Sequence, residues 1–160
     1  MKSTLLLATS AAVSVGCLMW ISGVAPSLGL IPWISLISAG AYFTAGAGRD
    51  GLVKPMAAGT LGILLTAIAL SALTALSGGL TATVLIVACL AFTIILCSGV
   101  PLFAHVPSAF MAASAYVGAG GSWGLAIVFI TLSWGVGLIL AWIIDSMSRS
   151  LIELTGASRG

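Results

Sequence analysis

Three long stretches of this chain, 3–48, 55–104 and 106–144, carry no charged side chain, and each is long enough for two helical membrane crossings of about 20 residues. Glycine and proline punctuation divides them into six apolar segments, at 4–24, 28–47, 55–76, 81–103, 108–119 and 123–144. The linkers between them read "APS", "GRDGLVK", "SGG", "AHVP" and "GGS". Linkers this short make successive segments antiparallel neighbours in one bundle. The fifth segment departs from the pattern: its dozen positions give about 18 Å of helix, against a hydrocarbon core of about 30 Å. Pro101 and Pro107 stand just before it. Each lacks an N–H donor and frees a carbonyl of the preceding turn, which is tolerated at membrane depth inside protein or beside water. Segment five is therefore expected to be short or broken, as a kinked crossing or a half-helix enclosed by its neighbours.

Composition assigns the solvent. The 160 residues are 61% hydrophobic and 5% charged, against about 45–50% and about 25% for soluble domains. The reading is an all-α integral membrane protein, a six-segment transmembrane helix bundle over residues 1–147 with a short cytoplasmic tail at 148–160. If the N-terminus is cytoplasmic, six crossings place Lys2, Arg49, Lys54, Arg149 and Arg159 together on the cytoplasmic side, as the positive-inside rule asks. The five basic residues form no patch, so the net charge of +2 marks topology and not a nucleic-acid partner. Arg149 and Glu153 stand at i,i+4 in the tail. Trp33, Trp123 and Trp142 fall near segment ends, where headgroup anchors are expected, while Trp20 and Trp134 lie deeper and either pack against helices or line a cavity.

Candidate chemistry is sparse. Cys17, Cys89 and Cys97 lie within apolar runs without metal-site or disulfide spacing and read as plain buried thiols. No catalytic, cofactor or metal motif is found, and the chain is not expected to be an enzyme. The start of the chain reads as a first transmembrane helix, because its apolar run continues past the length of a signal peptide. Small residues such as Gly16 and Gly23, Gly59 and Gly62, and Gly135 and Gly137 recur at helix-packing spacing.

Two passages echo one another: "APSLGLIPWISLISAGAYFTAGAGRDGL" from Ala25 and "VPSAFMAASAYVGAGGSWGL" from Val106. Aligned on Pro-Ser, both run through small residues to Ala-Tyr (Tyr42, Tyr116), with about two helical turns missing from the second. The echo is either chance among common membrane residues or a repeat of three helices. A three-helix unit enters the membrane the second time from the opposite side. The result is a 3+3 inverted repeat, whose ligand site lies at the repeat interface near the midplane, often at broken helices. On that reading the solute-path candidates are Tyr42, Pro107, Ser108, Phe110 and Tyr116, with Ser108 capping a half-helix whose free N–H groups face the break. His105 is either an interfacial histidine without special role or a gating, proton-sensing or solute-contacting group.

The runs "SLGLIPWISLISAGAYF" and "HVPSAFMAASAYVGAGGSWGLAI" resemble the YcdZ-like family of small bacterial inner-membrane proteins, a family of unknown function. The resemblance rests on Ser27 to Leu30 with Trp33, Ala41 to Phe43, Val106 and Pro107 with Phe110, and Gly121 with Trp123. It implies an inner-membrane helical bundle and no substrate, and His105 stands outside its pattern. The sequence thus leaves two functions open. One is a channel or facilitator for a small neutral solute, such as urea, a short amide or a neutral weak acid. The other is a non-transporting subunit that stabilises or regulates a partner complex. A homo-oligomer in the lipid bilayer is expected in either case, because six helices of this size enclose at most a narrow path.

Overall fold

The computed structural model describes residues 2–155. They form six α-helices: α1 Lys2–Val24, α2 Pro32–Thr44, α3 Gly48–Ala75, α4 Leu80–Cys97, α5 Val106–Gly118 and α6 Leu125–Thr155, with no strand among the described residues. Helix is what an apolar chain without internal charge must adopt in lipid, since each segment then satisfies its own backbone. Four helices are long and apolar enough to cross a membrane, over Thr4–Val24, Gly48–Ala75, Leu80–Cys97 and Leu125–Ser150. Their outer faces are greasy: Leu80 is 82% exposed and Trp20 69%, so Trp20 lines no internal cavity. Trp33, Trp123 and Trp142 are also exposed, and so are Cys17 and Cys89, with Cys97 half-buried, so the thiols expected inside lie on outward helix faces.

The fifth segment is short, as expected, but it is not the only break. Both α2 and α5 have 13 residues, about 20 Å of helix. Each follows a 3₁₀ turn that opens on proline, Pro26–Leu28 and Pro101–Phe103, and each carries a second proline in its own first turn, Pro32 and Pro107. The continuous helix expected over 28–47 is therefore a turn followed by a half-length helix. Likewise the segment expected to reach 103 ends at Cys97. A proline at the first turn of a helix costs nothing, because that N–H has no intrahelical partner.

The order long helix, proline turn, short helix, long helix thus occurs twice. The ends of α2 and α5 match bond for bond. Ala45, Gly46 and Ala47 donate N–H bonds to the carbonyls of Ala41, Phe43 and Tyr42, as Ala119, Gly120 and Gly121 do to those of Ala115, Val117 and Tyr116. The register corrects the alignment drawn from sequence. Pro26 and Pro32 correspond to Pro101 and Pro107, 75 positions on (26 to 101), whereas the helix ends match 74 positions on (45 to 119), so the second copy is a single residue shorter between proline and helix end and no turns are missing from it.

Two other boundaries move. Most of "GRDGLVK" is helical: α3 starts at Gly48, with Asp50 in its first turn and Lys54 Nζ 2.6 Å from Asp50 Oδ2. A carboxylate there is favoured by the helix dipole. Arg149 is paired with Asp145 one turn earlier, while the side chain of Glu153 lies outside the described residues. The last helix runs past the segment end at 144 and continues through the tail residues to Thr155.

The short helices exchange partners between repeats. The two most extensive helix contacts are α2 with α6 and α3 with α5. With α1 against α6 and α4 against α3, the result is two pseudo-equivalent bundles, α1/α2/α6 and α4/α5/α3. Glycine permits each close approach: Gly62 of α3 lies on the carbonyl of Ala109 in α5, and Gly137 of α6 on the carbonyl of Ser35 in α2. A Cβ at either glycine would overlap that carbonyl. Gly16 and Gly23 have no such neighbour, so the packing role expected of them from spacing is not found.

Candidate functional site

The two breaks are the places where backbone leaves regular helix, and their polar groups need partners. At the start of α2, Ile31 N–H donates to Ser133 Oγ (2.9 Å), which itself donates to the Phe129 carbonyl (2.7 Å). Ser35 Oγ donates to the Ser133 carbonyl (2.8 Å), and Ser38 Oγ to the Ser35 carbonyl (3.1 Å). All three serines are buried. Ser133 on α6 therefore closes the first break. Spacing along the sequence does not reveal a partner about a hundred positions away.

The second break is closed locally. His105 precedes α5, and its Nδ1 lies 2.7 Å from Ser108 Oγ. Ser108 is fully buried and His105 half-buried, whereas Pro107 and Phe110 are exposed on the outer face of α5. The expected group thus divides: His105 and Ser108 meet, and Pro107 and Phe110 face away from the bundle.

Tyr42 and Tyr116 occupy equivalent places, but at opposite ends of the molecule. Each ring is buried beyond the end of its own helix, Tyr42 against Gly51 in the first turn of α3 and Tyr116 against Gly121 in the turn after α5. Tyr116 Oη donates to the Ser122 carbonyl at 3.0 Å. Tyr42 Oη does more: it accepts from Gly48 N–H (2.8 Å) and donates to Asp145 Oδ2 (3.1 Å), which Arg149 also contacts. Tyr42 thereby joins α2, α3 and α6 at the charged end of the bundle. Asp145 is buried there.

Between the bundles, α3 crosses α6 where Gly59 packs on the indole of Trp134. Trp134 is fully buried, and its Nε1–H donates to the Pro55 carbonyl (3.0 Å). That carbonyl belongs to the proline-containing part of α3. Among the described residues no buried polar side-chain atom lacks a partner. The conformation is closed at its centre.

The same crossing carries two apolar grooves on the outer surface. One, of about 710 Å³, is lined by α3 from Leu52 to Leu64, by Leu102 and Phe103, and by Leu138 and Ile139. The other, of about 550 Å³, is lined by α6 from Ile127 to Ile139 together with Met56. They are repeat-related: Leu52, Met56, Thr60 and Leu64 in the first correspond to Ile127, Thr131, Gly135 and Ile139 in the second, each 75 positions on (52 to 127, 64 to 139).

Four membrane-length apolar helices and two half-length ones, arranged as two copies of one three-helix unit, define a polytopic helical membrane protein of internal-repeat architecture. The chain belongs to the family DUF1097, described as a protein of unknown function, whose model matches residues 8–149. No curated protein and no solved structure matches it.

Proposed function

We propose that the protein is a facilitator for a small neutral solute, working by rocking one three-helix bundle against the other. The observation that carries this reading is the exchanged repeat. Each half-length helix packs most extensively on the last helix of the other copy, which defines two pseudo-equivalent bodies that meet along α3 and α6 and along α2 and α5, through one shared apolar core. Alternating access in inverted-repeat transporters is largely this rigid-body motion around a site flanked by broken helices. The charged side chains lie at the helix ends, Arg49, Asp50 and Lys54 early in α3 and Asp145 and Arg149 late in α6. That distribution favours a solute without net charge, since ion-coupled carriers place ionisable groups within the membrane. The hydroxyls of Ser35, Ser38, Ser133 and Ser108 at the two breaks are the groups that would exchange an internal bond for one to a urea- or amide-like solute. In this proposal Tyr42 and Tyr116 brace the bundle ends, and the chain is not an enzyme.

The same proposal places the protein in a bacterial inner membrane with both termini cytoplasmic, as a homo-oligomer of the YcdZ-like group. One observation favours the second reading, a subunit that serves a partner complex: Trp134 fills the crossing and every buried polar side-chain atom described is already paired. Stopped-flow light scattering on proteoliposomes separates the two. Faster uptake of urea, acetamide, glycerol or neutral acetic acid than in empty liposomes, changed in Trp134→Phe, supports the facilitator. Background rates for every solute from folded protein support the subunit.

A further inference from the structure

The two repeat-related grooves are not equivalent at their ends. On α3, Leu52, Val53, Met56 and Thr60 follow Arg49 at i+3, i+4, i+7 and i+11, a single stripe of a helix. Arg49 is exposed and stands one turn beyond the groove. Seventy-five positions on from Arg49 is Gly124 (49 to 124), so the sister groove has no cation at the matching place. The grooves differ in a second way. The Pro101–Phe103 turn gives the first a further wall through Leu102 and Phe103, while no residue of the Pro26–Leu28 turn lines the second.

We propose that the first groove is a binding site for an anionic phospholipid, one acyl chain lying between α3, α6 and the Pro101–Phe103 turn and the phosphate meeting the Arg49 guanidinium. The lining is apolar apart from Thr60, as an acyl chain requires, and a volume of about 710 Å³ falls within the about 300–1,000 Å³ of small-molecule sites. Charge selects the head group. Lys54 is neutralised by Asp50 at 2.6 Å, leaving Arg49 as the unbalanced charge of the first turns of α3. Guanidinium is the side chain best matched to phosphate, through paired N–H donors. The site is independent of whether the protein moves a solute.

Native mass spectrometry of the full chain released from micelles tests it, with phosphatidylglycerol and phosphatidylcholine of identical chains in competition. One lipid is expected to be retained with about five-fold preference for phosphatidylglycerol, the ratio that one basic residue near a membrane surface supplies. Arg49→Gln should abolish the preference. Thr60→Trp, which fills the groove, should abolish retention, with Ala57→Phe as the substitute if that variant does not fold. Thr131→Trp in the sister groove should leave both unchanged. Equal retention of the two lipids by the unaltered chain would overturn the proposal, as would a preference that survives Arg49→Gln. A preference that survives filling of the groove would show surface attraction alone and would overturn it too.

Discussion

The two halves of this molecule have one backbone plan and two ways of holding it. In the first, the break before α2 is tied to a distant helix by Ser133, and Tyr42 bridges three helices through Gly48 and Asp145. In the second, the break before α5 is closed within four residues by His105 and Ser108, and Tyr116 reaches no farther than Ser122. Ala109, Ala112, Ala113 and Ala115 fill the inner face of α5. Repetition fixes where helices start, stop and cross, because that depends on proline, glycine and length. It leaves the polar ties free to differ, because each hydroxyl needs one local partner.

The comparison makes its strongest prediction where the halves agree. Gly62→Leu and Gly137→Leu should destabilise alike, by about 3 kcal/mol or more, because each Cβ would fall on a backbone carbonyl that cannot turn aside. Thermal unfolding in detergent measures this, and a large effect at one glycine alone would break the equivalence. Gly16→Leu, with open space around it, serves as the control and should change little.

At the bundle crossing, Trp134→Phe removes the hydrogen bond to the Pro55 carbonyl and empties the space against Gly59, and should cost about 2 kcal/mol or more. Smaller effects should separate the halves. Ser133→Ala leaves the Ile31 N–H without a partner, while the Ser35 bond to the carbonyl of residue 133 remains, at about 1–3 kcal/mol. Ser108→Ala removes one local bond to a half-buried imidazole, at about 0.5–1 kcal/mol. Tyr42→Phe strands Gly48 N–H and loosens Asp145, and should cost about 1–2 kcal/mol more than Tyr116→Phe. Equal losses in either pair would mean that the halves are held alike.

Much of the scaffold was legible. Charge-free runs gave six helical segments, and the length of the fifth together with Pro101 and Pro107 gave one break. The second break carried the same signal, two prolines six positions apart at Pro26 and Pro32. It went unread because apolar residues continue to Ala47 and supply enough length for an unbroken crossing. The echo was visible through Tyr42 and Tyr116, but matching the dipeptide Pro-Ser shifted its register, since identity of common residues is weaker than their spacing from a turn. The helical start of α3 was hidden by two glycines and three charges, which tertiary packing and the Asp50–Lys54 pair outweigh. The Ser133 and Asp145 ties were beyond reach, because they join residues about a hundred positions apart that no local pattern connects.

The central claim is that the second three-helix unit repeats the first upside down across the membrane. Cysteines placed at Ala45 and Ser122, in the turns after α2 and α5, test it directly in intact cells of a variant with Cys17, Cys89 and Cys97 replaced. A membrane-impermeant maleimide should label position 122 at once and position 45 only after permeabilisation. Labelling of both positions from the same side would contradict the inverted repeat and the account built on it.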